Sequence, residues 1–158
     1  MSSNTIRLSI FLCLSMCLGI GILRFSYTAL LPSTREAFEW TVQFASLLSS
    51  ANLLGYLIGA LIAMRLPQTK IMSLYIQIAA IAGMLSLLCC AFSGFSEIWY
   101  IFWRIISGIS GGLLMILSPS VVAQCCDLQD RFKINFIGFS GIGIGVLLAT
   151  LFLPYLDQ

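Results

Sequence analysis

Two arginines placed inside apolar stretches are the side chains of this sequence with the greatest capacity for chemistry. Arg24 lies within residues 18–32, and Arg104 begins an Arg-x-x-x-Gly-x-x-x-Gly series completed by Gly108 and Gly112. An ionisable side chain within a membrane-spanning helix costs roughly 2.5 to 3.5 kcal/mol on insertion scales and usually faces protein or a water-filled cavity. The two arginines therefore suggest the path of an anionic or strongly hydrogen-bonding solute.

Each arginine also has a purely structural interpretation. Arg24 lies about seven residues, or about 10 Å at 1.5 Å per residue, from the outer end of its helix, so its stem could reach the lipid headgroups. Arg104 lies at a comparable depth and could instead bind backbone carbonyls and fix helix packing. Because no Asp or Glu occupies a helix interior, the two cations would repel unless they face separate environments or share an anion or an aqueous cavity.

A second apolar stretch carries an amide and a phenol on one helical face. Ser49, Asn52, Tyr56 and Gly59 recur at spacings of three or four residues, which places them on the same side of a helix. Asn52 either hydrogen-bonds across helices, a contact of about 0.6 to 2 kcal/mol, or lines a substrate path. The first role is favoured because polar residues are common at helix interfaces, and Asn52 and Tyr56 are both kept as candidate cavity residues.

Glycines spaced four residues apart predict close helix contacts. The pairs are Gly55 and Gly59, Gly108 and Gly112, and Gly141 and Gly145. Small residues at this spacing let a neighbouring helix backbone approach closely within a membrane.

Composition sets the class of the protein. Hydrophobic residues make up 59% of the 158 residues and charged residues only 9%, against roughly 45 to 50% and 25% in soluble domains, so we expect an integral membrane protein. The net charge of +2 is too small and too dispersed for a nucleic-acid surface. The chain has no histidine, no paired carboxylates and no Cys-x-x-Cys spacing, so we predict no catalytic residues, no metal site and no cofactor.

The predicted fold is an all-α membrane protein in which residues 1–158 form a single transmembrane domain. Each of five apolar stretches approaches or exceeds the length needed to cross a bilayer, and in lipid such stretches must be helical to satisfy their own backbone hydrogen bonds. The first is expected to be a retained helix rather than a cleaved signal peptide, because it exceeds the usual length of a signal sequence. The predicted helices span residues 6–31, 42–64, 71–93, 98–124 and 134–153.

The basic residues of the short connections predict the orientation, because cytoplasmic loops carry an excess of Lys and Arg. The prediction places the N-terminus in the cytoplasm and the C-terminus outside. One side would hold Arg7, Arg65, Lys70, Arg131 and Lys133, and the other side only Arg35. Trp40, Trp99, Tyr100 and Trp103 would then lie near the outer boundary, as in an aromatic belt.

Several of these motifs, in this order, resemble the N-terminal half of a major facilitator superfamily transporter. They are RFSYTALLP in the first helix, SANLLGYLIGALIA in the second and RIISGISGG in the fourth. Within the superfamily the chain looks most similar to the bacterial YbfB/YjiJ family. The resemblance implies that Arg24 and Tyr27 line the cavity and that Arg104, followed by Gly108, belongs to the cavity or its coupling machinery.

The chain also departs from the superfamily pattern. Ala63 and Met64 stand where the loop after the second helix normally has Asp and Arg, and Val146 stands where the antiporter motif has proline. Superfamily members have 12 helices in two halves, with the substrate held between them. The resemblance therefore implies a truncated or split transporter of the bacterial inner membrane, inactive alone and dependent on a partner chain or self-association to move a small solute by alternating access.

A rival hypothesis from another class is a small, non-transporting membrane protein whose glycine faces bind partner helices. A membrane enzyme is a more distant third, because no nucleophile and base pair is evident.

Overall fold

Five helices account for almost all of the computed structural model. It describes residues 3–66, 71–92 and 94–156, and within them all side chains except those of residues 3, 28–33, 37 and 152–156. The first helix, α1, begins as an α-helix over Ser3–Met16, continues as a π-helix over Cys17–Ile22 and returns to an α-helix over Leu23–Ala37. The others are α2 (Val42–Arg65), α3 (Met72–Ala91), α4 (Glu97–Cys125) and α5 (Leu128–Leu156).

Each helix contains a segment long and apolar enough to cross a membrane, the first of them Asn4–Tyr27 and the last Leu128–Leu151. Across the described residues there is no β-strand. The prediction of an all-α membrane protein with five spanning helices is thus confirmed.

Two helices each extend six residues beyond a predicted bound. α1 continues to Ala37 rather than ending at residue 31, and α5 begins at Leu128 rather than at residue 134. The predicted bounds followed hydropathy, which falls at charged residues such as Arg35 in α1 and Arg131 in α5, whereas the helices continue through these residues. Asp130 in the first turn of α5 also interacts favourably with the helix dipole. The predicted connection between α2 and α3, which includes Lys70, lies largely outside the described residues.

The π-helix in α1 marks the place where this helix contacts both α4 and α5. The N–H of Leu23 bonds to the carbonyl of Leu18, five residues earlier. Nearby, a Cβ added to Gly19 would lie 3.0 Å from the Leu114 Cβ, and one added to Gly21 would lie 2.5 Å from the Gly145 Cα. Only residues without a side chain allow α1 to lie this close to two neighbours.

Glycines hold α2 against α4 in a reciprocal pattern. A Cβ added to Gly55 or Gly59 would overlap the carbonyl oxygen of Ile105 or Ile109, respectively. In return, a Cβ on Gly108 would overlap the Asn52 carbonyl oxygen, and one on Gly112 the Tyr56 carbonyl oxygen. The two backbones are therefore in direct contact over two turns.

Aromatic rings close the end of the bundle at which α1 is connected to α2. The Trp40 ring centroid lies 4.8 Å from that of Phe38, 5.2 Å from that of Phe44 and 4.9 Å from that of Tyr100. Tyr100 belongs to the first turns of α4, so the cluster joins three helices. We call this the aromatic end.

A non-glycine residue in a left-handed conformation terminates α1 at the aromatic end. Glu39 has φ 52°, the Trp40 N–H bonds to the Arg35 carbonyl, and the Glu39 N–H bonds to the Glu36 carbonyl. These bonds form a Schellman motif, in which the left-handed position is usually glycine. Thr41 then caps α2 by accepting a hydrogen bond from the Phe44 N–H at 3.2 Å.

Glu39→Gly is expected to raise the free energy of unfolding by about 0.5 to 1 kcal/mol. A left-handed conformation costs an L-residue roughly 1 to 2 kcal/mol, and the greater freedom of glycine in the unfolded chain offsets about half of this. Unfolding of the purified protein in mixed detergent measures the change. Glu39→Gln, which removes the charge and keeps the Cβ, should have no effect, and equal stabilisation by both variants would contradict the backbone explanation.

Candidate functional site

A cavity of about 360 Å³ lies inside the bundle, between the middle of the membrane-spanning region and the aromatic end. Helices α1, α2, α3 and α4 and the α1–α2 connection all contribute to its walls. The residues of the wall with polar or aromatic character include Ser26, Tyr27, Trp40, Cys90, Tyr100 and Arg104.

Arg104 supplies the positive charge of the cavity. Its side chain is only 3% exposed, and its guanidinium carbon lies 4.2 Å from the centroid of the Tyr27 ring. The Arg104 Nε is buried and has no hydrogen-bond partner. No Asp or Glu is among the described residues that line the cavity, so the guanidinium is stabilised there by a cation–π contact and not by a carboxylate.

Backbone contacts on both sides fix the position of Arg104. The Asn52 amide nitrogen donates to the Arg104 carbonyl at 3.2 Å, and this approach of α2 is possible because Gly108 follows one turn later. The Ser107 hydroxyl donates to the Leu23 carbonyl at 3.1 Å. Arg104 therefore projects from a segment of α4 that is joined to both α1 and α2.

Tyr27 is held in place by its own hydrogen bond. Its hydroxyl donates to the Ala45 carbonyl at 3.2 Å, and the side chain is buried. The ring is thus fixed between α1 and α2, where its face is presented to the guanidinium of Arg104.

Arg24 occupies a different environment. Its side chain is half-buried, with the guanidinium carbon 5.8 Å from the Phe25 ring centroid and 5.4 Å from the Tyr56 ring centroid. Arg24 does not contribute to the described wall of the cavity that Arg104 lines. Of the two arrangements by which the paired cations could avoid repulsion, the structure shows separate environments.

The two polar residues of α2 also differ in role. Asn52 is 5% exposed and makes the interhelical bond to Arg104 described above, which is the geometry of the helix-contact alternative. Tyr56 is half-buried, faces Arg24 and directs its hydroxyl to the Met115 sulfur. The five candidate cavity residues predicted as one group are divided in the structure into an Arg104–Tyr27 pair and an Arg24–Tyr56 pair, with Asn52 bonded to the backbone of Arg104.

A family model described as "Uncharacterised MFS-type transporter YbfB" matches residues 16–158. The chain belongs to this family. The match confirms the resemblance to the major facilitator superfamily, and it includes all five candidate cavity residues. No curated protein and no solved structure matches the chain. With five spanning helices, this YbfB-type chain is a multi-pass membrane protein of a transporter family.

Several wall residues of the YbfB-type chain were not identified from the sequence as part of a site. Ser26 and Cys90 are small residues in apolar stretches and carry no signal of their own. Trp40 and Tyr100 were assigned to an aromatic belt. A belt requires only a position near the membrane boundary, and nothing in the sequence distinguishes a lipid-facing ring from one that lines a cavity.

The part of the YbfB-type chain that the structure describes includes all six cysteines. It contains no group of three His, Cys, Asp or Glu residues that could hold a metal ion, and all six cysteines are free. At the end of α4, burial raises the pKa of the Cys126 thiol, and the neighbouring Cys125 acts in the same direction. A raised pKa disfavours the reactive thiolate.

Proposed function

We propose that the chain forms the first bundle of a secondary active transporter that moves a small solute across the bacterial inner membrane by alternating access. The observation that carries this proposal is the family match over residues 16–158. Transporters of this architecture hold their solute near the bilayer midplane between two bundles, which rock about that site. The bundle described here would supply one wall of such a site and would not transport without a second bundle.

The rigidity of the helix contacts supports this role. α2 and α4 touch backbone to backbone at Gly55, Gly59, Gly108 and Gly112. Rocking requires each bundle to move largely as one body, and contacts without side chains leave little freedom for the helices to slide. Glycine packing thus suits a moving half of a transporter.

The Arg24–Tyr56 pair is the proposed solute contact of this bundle. Both side chains are half-buried, so they remain within reach of a ligand at the bundle surface. A guanidinium offers several hydrogen-bond donors to an anion, and a neighbouring phenol can donate or accept. We therefore infer that the solute is anionic or rich in hydrogen-bond acceptors.

We further propose that the N-terminus faces the cytoplasm and the C-terminus faces outside. The five-to-one distribution of Lys and Arg between the two sides supports this orientation. The aromatic end and its cavity would then lie towards the outer face of the membrane.

Uptake into proteoliposomes tests the transport proposal. We expect no uptake of a panel of small organic anions by the chain alone. We expect uptake when it is joined to the sixth helix and the second six-helix half of a complete member of the same family, because the sixth helix returns the chain to the cytoplasmic side before the second half begins. In that fusion, Arg24→Gln should lower the uptake rate at least about tenfold, because the loss of one charge-assisted hydrogen bond costs roughly 1.5 to 3 kcal/mol.

Arg7→Gln is the matched control, since Arg7 is an exposed cation on the same helix and its removal should leave the rate unchanged. Uptake by the chain alone would disprove the need for a second bundle. An equal rate for Arg24→Gln and the unmodified fusion would remove Arg24 from the solute path.

The rival function, a small membrane protein that binds partner helices through its glycine faces, loses its main support. Most of the glycines on which it depended already contact other helices of the same chain. Among the glycines in the described helices, Gly143 is the one with no atom within 4 Å of an added Cβ. A single open glycine does not make a small-xxx-small face.

A further inference from the structure

We infer that the cavity between α1, α2, α3 and α4 is a binding site in its own right for a small monocarboxylate with an apolar body, held by Arg104. Arg24 and Tyr56, the proposed solute contact, are not among the described residues of its wall, so the site can be tested without measuring transport.

The buried positive charge of Arg104 favours the binding of one anion in the cavity. Arg104 is almost fully buried, and an arginine cannot escape the cost of burial by losing its proton. The described wall offers no carboxylate, and the ring of Tyr27 compensates only part of a buried charge. A single cation is neutralised by a single negative charge, which favours a monoanion over a phosphate dianion.

The guanidinium group favours a particular kind of anion. Arg104 lines the cavity, and its Nε is buried without a hydrogen-bond partner, so the described residues leave donor capacity unused. A guanidinium can present two parallel N–H donors to one anion. The two oxygens of a carboxylate match this geometry. Hydrogen bonds from Ser107 and Asn52 to backbone carbonyls fix the helix segment from which the side chain projects. The guanidinium donors are therefore preorganised.

The remaining walls specify the body of the ligand. Apart from Arg104 they are mainly apolar and aromatic, with Leu48, Leu87, Trp40 and Tyr100 among them. A volume of about 360 Å³ falls within the range of small-molecule sites, which are predominantly hydrophobic with a few placed polar groups. A carboxylate bearing an aromatic or branched hydrocarbon group fits both features, and benzoate is the simplest probe.

Cys90 is a native reporter for the cavity, since it lines the same wall as Arg104. The test uses the full chain in lipid nanodiscs with the other five cysteines changed to alanine. The rate of modification of Cys90 is measured with an anionic and with a cationic methanethiosulfonate reagent. A second protein that retains only Cys89, the neighbouring thiol outside the described wall, is measured in parallel.

We expect the anionic reagent to modify Cys90 at least about tenfold faster than the cationic one, because a cleft of one sign concentrates counter-ions by this factor or more. Arg104→Gln should bring the ratio close to one. Benzoate should slow both reagents at Cys90 several-fold and leave Cys89 unaffected, whereas benzamide, its neutral analogue, should protect neither thiol.

Two further variants keep the test decisive. Arg104→Lys retains the charge without the planar fork, so it should keep the preference for the anionic reagent and lose most of the benzoate protection. A variant that retains Trp40 as its single tryptophan allows binding to be followed by fluorescence, without a thiol reagent having to enter the cavity. Benzoate should change the fluorescence of this variant saturably, and the change should disappear when Arg104→Gln is added to it.

Three results would overturn the inference. The first is equal rates for the two reagents together with no benzoate protection of Cys90. The second is loss of the preference in Arg24→Gln instead of Arg104→Gln. The third is a Trp40 fluorescence that does not respond to benzoate. Since none of these measurements involves uptake, failure here and failure of the transport proposal are separate results.

Discussion

Gly108→Val is expected to lower the free energy of unfolding by about 3 kcal/mol, the upper end of the usual cost of overpacking. A Cβ at this position would overlap the Asn52 carbonyl oxygen and lie 2.8 Å from the Tyr56 nitrogen. Both neighbours are backbone atoms, so no side chain can rotate away and the whole of α2 must shift. The shift would also break the hydrogen bond between Asn52 and the Arg104 carbonyl.

Unfolding of the purified protein in mixed detergent measures the loss. Gly143→Val is the matched control, because it makes the same substitution within a helix at a position with nothing within 4 Å. Valine in place of glycine at an open helical site should be neutral or slightly stabilising. If Gly108→Val unfolded at the same detergent composition as Gly143→Val, the α2–α4 contact would not be the close contact described.

Gly145→Val is expected to have an effect of similar size at a different contact. An added Cβ would lie 2.6 Å from the Cys17 carbonyl oxygen and 2.8 Å from the Gly21 Cα, again backbone atoms with no means of yielding. Because α5 packs chiefly on α1, this substitution should detach α5 while α2, α3 and α4 stay together.

Limited trypsin digestion distinguishes this local release from global unfolding. Arg131 and Lys133 lie in the first turns of α5, and cleavage there should accelerate at least about tenfold in Gly145→Val, in keeping with a loss of more than about 1.4 kcal/mol. Gly143→Val, two residues away on the same helix, should be cut at the rate of the unmodified protein. Equal acceleration in both would show that any valine in this stretch disturbs α5.

The number and type of helices could be predicted from the sequence because lipid imposes a simple rule. A long apolar stretch must satisfy its own hydrogen bonds, and a helix does so without neighbours. The ends of the helices were less predictable. Residues such as Arg35 and Asp130 lower the local hydropathy without ending the helix, because a helix can continue beyond the apolar region of the membrane.

The arrangement of the candidate site was less predictable from the sequence than the helices were. Sequence spacing placed Arg24 and Arg104 at similar depths, and the glycines that follow Arg104 in α4 predicted a close helix contact. Which face Arg24 presents could not be predicted, because it depends on how α1 packs on α4 and α5. Cys90, which shares the cavity with Arg104, became identifiable only when α3 was in position.

The π-helix of α1 explains part of this difficulty. A turn closed between residues five apart holds one more residue than an α-turn, so the residues that follow Ile22 are out of phase with those that precede Cys17 by up to one position, or about 100°. A helical wheel drawn through all of α1 as a regular helix therefore assigns Arg24 to the wrong sector. Arg24 and Tyr27 both follow this turn. Their direction relative to the residues before Cys17 therefore depends on an irregularity of hydrogen bonding that no pattern of apolar residues records.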